Sequence, residues 1–209
     1  MNERYPFVNP PLPYTYDMLE PYINIQTLYV HHDRISQQYV TNLNDLLKDY
    51  PELQTLSLAE LLSSPEILPP EIRQSIIHNA GGVLNHIIYF YGMTPPTYIR
   101  TAHLEPAIIR DFGTLENFFD TYKLHALSLL GPGYAWLVAD QNGNLQILTT
   151  YYEQTPVSDN LCIVAGIDMW EHSYYLPHFN NRAAYVEDWF RVLDWEEMER
   201  RYENCINSI

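Results

Sequence analysis

Two stretches of this chain repeat apolar residues every three or four positions, and each sets a histidine inside its apolar stripe. In the first, Leu28, His31, Ile35, Tyr39 and Leu43 share one face of a helix that the pattern predicts from Asn24 to about Asp49. In the second, Ile72, Ile76, Ala80, Val83, His86 and Phe90 do the same. A helix with one apolar face must bury it, and two such helices joined by a modest connector bury theirs against each other. The chain is therefore constrained to an antiparallel helical hairpin carrying one inward imidazole per helix.

Prolines and turn signals divide the rest. The first 23 residues are rich in Pro and Tyr and are expected to run extended as an arm. "LSLAELLSS" predicts a short helical connector inside the hairpin. The proline cluster in "YGMTPPTYIRTAHLEP" marks a boundary, giving an arm-and-hairpin domain over 1–93 and a second domain over 94–209. In the second, two helical stretches run to about Leu130, with Thr114 as a cap between them. Two β-rich runs then flank Asn142-Gly143, a dipeptide suited to a tight hairpin turn. "NLCIVAGID" is the third strand, and helices follow from Arg182 with Asp194 capping the last. The fold class is α+β: a helical hairpin followed by an α/β domain whose three-stranded antiparallel sheet is flanked by helices.

Composition narrows the function. With 26 acidic against 11 basic residues, the net charge of −15 repels nucleic acid and anionic lipid, and no basic patch offsets it. No stretch approaches the roughly 18 apolar residues of a membrane span. The two cysteines, Cys162 and Cys205, form no disulfide framework and lack metal-finger spacing, which fits a reducing, cytoplasmic setting.

The third strand ends in an unusual way. Asp168 and His172 stand four residues apart in "GIDMWEHSYY", just after an apolar run. A lone histidine on an apolar helix face is usually a core residue. Three imidazoles and one carboxylate are a different object, suited to Mn, Fe, Co or Zn with room for a solvent or substrate ligand.

The signatures "VHHDR", "NAGGVLNHIIYF", "GYAWLV" and "DMWEHSYYL", in that order, together with the arm "LPYTYDMLEPYI", resemble those of the iron/manganese superoxide dismutases over nearly the whole chain. The resemblance implies a metal between the two domains, one Mn or Fe ion per chain, bound by His31, His86, Asp168 and His172, with water or hydroxide in a fifth position. It implies superoxide as the substrate, dioxygen and hydrogen peroxide as products. It also implies a homodimer or dimer-based tetramer, in which Glu171 reaches the partner's ligand histidine and Tyr175 lies at the interface. Tyr39 matches the family's active-site tyrosine and Trp170 a wall of the site. Gly82 stands where iron-type members place a glutamine, so manganese is favoured.

Several positions depart from the family. Ile35 replaces the histidine usually found four residues after the first ligand, and Tyr134 replaces a tryptophan of the pocket wall. Ungapped spacing puts Glu153 where manganese-type members have a glutamine facing the coordinated solvent, with Gln154 one residue late. A carboxylate accepts hydrogen bonds where an amide also donates. Arg182 matches a basic position of the family that would attract the anion, or is a structural arginine. These departures leave an alternative: a metal-binding structural or interaction protein on the same scaffold, with weak or no dismutase activity. A peroxidase using the same metal is a third reading.

Overall fold

The computed structural model describes residues 4–159 and 161–207. The arm leads into α1 (Ile25–Val30), whose first turn is capped by the Asn24 side chain accepting from the Thr27 amide at 2.7 Å. The helix then widens into a π-helical turn over His31–Ser36 and resumes as α2 (Gln37–Leu47). Here the structure departs from the even stripe expected from the sequence. The buried positions are Thr27, Leu28, His31, His32, Ser36, Val40, Leu43 and Leu47, and Ile35 is only half-buried. A π-turn inserts one residue into the helical repeat, which moves the core face from Ile35 to Ser36.

The connector forms α3 (Leu58–Ser63), opened by a Ser57–Glu60 capping box. It leads to α4 (Arg73–Tyr91), which returns antiparallel to α2. Val40, Leu43, Leu47, Ile76, Ala80 and Val83 bury their side chains together with Leu61 and Phe7 in a hairpin core. Each large aliphatic residue so buried contributes roughly 1.5–3 kcal/mol.

In the second half, α5 (Leu104–Phe112) and α6 (Leu115–Ser128) are separated at Gly113, and the Thr114 hydroxyl caps α6 through the Asn117 amide. Three antiparallel strands follow, β1 (Gly133–Ala139), β2 (Leu145–Tyr151) and β3 (Cys162–Asp168), in the order β2-β1-β3. The central β1 is buried along its whole length. Its register sets Tyr134 opposite Asp168. The β1–β2 connection is wider than a two-residue turn: only Gly143 takes a positive φ, of 75°, and the Asp140 carboxylate gathers the amides of Asn142 and Asn144.

An element the sequence patterning did not mark, α7 (Glu171–His178), starts directly after β3 and packs on α1. The chain ends in α8 (Arg182–Arg191) and α9 (Trp195–Asn207), with the Asp194 carboxylate accepting from the Glu197 amide. The two cysteines are not free thiols: Cys162 at the start of β3 is disulfide-bonded to Cys205 in α9. Neighbouring apolar residues could not reveal that pairing, because the two cysteines, 43 residues apart, are brought together only when α9 folds back along β3. Among the described residues, no helix is long and apolar enough to cross a membrane.

Candidate metal centre

The hairpin and the sheet meet at four side chains. His31 comes from the start of the π-turn, His86 from the middle of α4, Asp168 from the last residue of β3 and His172 from the first turn of α7. Their ligand atoms all lie within 4.8 Å of one another. Asp168 Oδ2 is 3.1 Å from His31 Nε2, 3.4 Å from His172 Nε2 and 3.9 Å from His86 Nε2. His31, His86 and Asp168 are buried, and the His172 side chain is 19% exposed.

None of these four atoms has a hydrogen-bond partner among the described residues. Buried polar atoms are normally paired, so four orphans converging on one point fit a cation. The other atoms of the set are spoken for. His86 Nδ1 donates to the Gly82 carbonyl at 2.6 Å, which leaves the Nε2 lone pair facing the centre, and Asp168 Oδ1 accepts from the Trp170 amide. The adjacent His32 is no part of the set: its two ring nitrogens engage Asp33 and the Pro10 carbonyl.

Electrostatics prepares the same donors. Burial, aided by the neighbouring His172, pushes the His31 imidazole down to about 4. Burial and His31 push His86 down to about 3. Both rings are therefore neutral at pH 7, as metal ligation requires. Burial alone would raise Asp168, but His172 and His31 facing it win and hold its carboxyl well below the usual range.

Around the centre, Trp170 stacks on His172 with centroids 5.6 Å apart and planes at 22°. Tyr134, fully buried, stacks on Trp136 and turns toward His86. Its hydroxyl lies near Glu153 without forming a hydrogen bond of normal geometry. Glu153 is 2% exposed, whereas Gln154 is exposed. The left-handed backbone of Tyr152, with φ of 52°, turns the chain after β2 just before Glu153 goes inward. Glu153 Oε1 accepts from the Tyr39 hydroxyl at 3.0 Å and Oε2 from the Asn85 amide at 3.2 Å. Burial, then the Asp168 charge, raises its carboxyl to about 7 against these hydrogen bonds.

The fit between Tyr39 and α4 depends on Gly82. A Cβ there would sit 2.4 Å from the Tyr39 ring. No side chain from that position of α4 enters the site.

Sequence reasoning missed Asn85, Tyr89 and Tyr185. Tyr185 donates to the Asp168 carbonyl at 2.8 Å and shares a 3.1 Å hydrogen bond with Tyr89, whose ring lies 5.2 Å from His31. Asn85 directly precedes a ligand candidate, which was its one signal; the tyrosines carry none among 18 in the chain. Arg182 donates to the Leu129 and Ala126 carbonyls and so closes the end of α6. Glu171 and Tyr175 are exposed on α7.

Residues 6–94 match the alpha-hairpin domain of the iron/manganese superoxide dismutases, and residues 100–201 match their C-terminal domain. The chain belongs to the iron/manganese superoxide dismutases. It is 40% identical to manganese superoxide dismutase 3 of Leptolyngbya boryana over 195 residues, 93% of this chain and 82% of that protein. Manganese superoxide dismutase 1 of the same organism is 38% identical over 195 residues, covering 92% and 79%. As a member of this enzyme family the chain takes Mn or Fe as its cofactor.

Proposed function

We propose that the protein disproportionates superoxide to dioxygen and hydrogen peroxide, using one manganese or iron ion held by His31, His86, Asp168 and His172. The observation that carries this reading is the convergence of four unpaired ligand atoms at the junction of hairpin and sheet. When bound, the ion supplies a one-electron couple between divalent and trivalent states. The chain's own groups orient and protonate. Trp170 fixes the plane of His172 and excludes water from one side of it. Tyr39 holds a proton at its hydroxyl, which burial and Glu153 keep from ionising. Glu153, raised to about 7, both holds and releases a proton at neutral pH.

Manganese is the favoured metal, because Gly82 brings no side chain to the site from α4 and the relatives above are named as manganese enzymes. The site is tuned differently from the family pattern through Glu153, Tyr134 and Ile35. That same combination favours the second reading, a metal-binding scaffold protein with weak dismutation. The functional unit is a homodimer or a pair of dimers joined through Glu171 and Tyr175, both exposed in the single chain. The domains divide at 93/94. A cytoplasmic location rests on composition, and the Cys162–Cys205 disulfide pulls toward a more oxidising setting; thiol trapping in freshly lysed cells separates the two.

The deciding experiment quantifies metal and superoxide removal on one purified sample. His172→Ala is expected to reduce metal content to below about a tenth, since three ligands no longer close the shell, while the helical circular dichroism is retained. Stoichiometric metal without superoxide removal would favour the scaffold reading. Full metal content in the variant would remove the ligand assignment.

A further inference from the structure

Outside the centre, two carboxylates close on one imidazole. Glu199 and Glu203 stand four residues apart on α9 and so share one face of that helix. His103, at the N-cap of α5, meets them there. Its Nδ1 is 3.1 Å from Glu199 Oε1 and 2.9 Å from Glu203 Oε1. None of the four ligand candidates of the centre belongs to this group.

The imidazole cannot satisfy both carboxylates as a hydrogen-bond donor. A ring nitrogen carries at most one proton, and of the two contacts only the longer one, to Glu199, has hydrogen-bond geometry. Nearby cations are engaged elsewhere: Arg100 pairs with Glu105, and Arg200 and Arg201 pair with Glu197. Glu199 is also fixed in advance, since its Oε1 accepts from the His103 amide at 2.8 Å and its Oε2 from the Leu104 amide at 2.7 Å. Metal-ligating carboxylates are commonly held by such outer hydrogen bonds, and each oxygen keeps a second lone pair. The spacing suits one shared ion. Bonds of about 2.0–2.2 Å at a tetrahedral angle set ligand atoms about 3.4 Å apart, so the observed separations need to open by only about half an ångström or less.

We propose that His103, Glu199 and Glu203 bind a divalent transition-metal ion of the zinc class, with solvent completing a four-coordinate shell. Two carboxylates and a divalent ion sum to zero charge, in a chain whose net charge of −15 draws cations. The imidazole disfavours magnesium and calcium, which take oxygen ligands, and the general affinity order of such sites places zinc above manganese. The ion clips the first turn of α5 to α9, the helix whose Cys205 is tied to β3. Its role is structural, and it does not depend on the dismutase reading.

Zinc titration of the manganese- or iron-loaded protein tests the site. Calorimetry with zinc chloride, followed by elemental analysis, is expected to show one equivalent of zinc taken up at submillimolar concentration while the resident metal is retained. His103→Ala and Glu203→Gln should each weaken that binding about tenfold or more; Glu199 is left in place because it caps α5. Glu203→Gln, isosteric and on a side chain 40% exposed, keeps the measurement decisive if His103→Ala disturbs α5. Zinc should also raise the denaturant midpoint of the unsubstituted protein and not that of Glu203→Gln, and magnesium should raise neither. Absence of saturable uptake, uptake matched by release of the resident metal, or unchanged affinity in Glu203→Gln overturns the proposal.

Discussion

Tyr39 donates its hydroxyl to Glu153 at 3.0 Å across 114 positions of sequence, joining the hairpin to the segment between β2 and β3. The acceptor is a carboxylate with a second hydrogen bond from Asn85. An amide at that position would supply a donor of its own; the carboxylate can only receive unless it is protonated.

Replacing that carboxylate should raise the metal's potential. Glu153→Gln removes a negative charge beside the centre, and one unit charge in an effective dielectric of about 20 is worth a few kcal/mol, or on the order of 100 mV. We expect a potential higher by that order and faster superoxide removal, measured by redox titration and pulse radiolysis. An unchanged potential and rate, combined with a change in Gln154→Ala, would show that the neighbouring amide does this work instead.

The same carboxylate should leave a mark on the stability of the metal-free protein. Its folded pKa of about 7 lies above the unfolded value of 4.5, so between these values the folded chain binds more protons. Stability from this group is greatest below about 4.5 and falls as pH rises to about 7, by up to about 3 kcal/mol. The buried histidines work in the opposite direction: His31 and His86, depressed to about 4 and 3 from 6.5, make stability rise with pH up to about 6.5. Tyr39, Tyr134 and Asp168 face Glu153 and are unaltered in the Gln variant. Urea unfolding of both proteins from pH 4 to 8 should therefore give a difference curve with the Glu153 slope alone. A flat difference would show that the carboxyl titrates normally.

Gly82→Ala is a small change in a place without room. Its methyl would press on the Tyr39 ring at 2.4 to 2.7 Å. Overpacking of this kind costs about 1–3 kcal/mol, and here relief requires Tyr39 to move away from Glu153. Lower unfolding midpoints in denaturant should accompany a changed pH profile of superoxide removal. Wild-type values for both would mean that the ring yields without leaving its partner.

The disulfide, which ties the start of β3 to α9, should contribute measurably to stability. Closing a 43-residue separation restricts the unfolded chain by about 4 kcal/mol in the loop-entropy treatment. Reduction, or Cys205→Ser, is expected to lower the denaturant midpoint by a corresponding amount while metal content persists. No shift on reduction would indicate that the two thiols are unpaired in solution.

Much of this architecture was readable because it is periodic. The two helices, the Thr114 and Asp194 caps and the three strands all follow from local spacing and cap chemistry, and the structure bears them out. The candidate ligands were readable for another reason: a carboxylate and imidazoles at apolar positions conflict with burial unless something satisfies them. What stayed hidden depends on contacts distant in sequence. The disulfide, the Tyr89–Tyr185 pair and the α7 turn owe their places to packing between elements. The π-turn is hidden for a subtler reason, since an apolar Ile35 fits the regular repeat better than the Ser36 that is actually buried.

That turn also sets how the first helix serves two customers. His31 begins it and Tyr39 follows it, so the candidate ligand and the hydroxyl belong to helical ladders differing in phase by one residue, about 100° of rotation. A regular helix of the same sequence could aim either side chain at the junction of hairpin and sheet, but it would swing the other aside. The widened turn acts as a phase adjuster between metal and proton. Helix length in this stretch is thus a functional quantity, and loss of a single residue between Asp33 and Ser36 would uncouple the two while leaving a perfectly good helix.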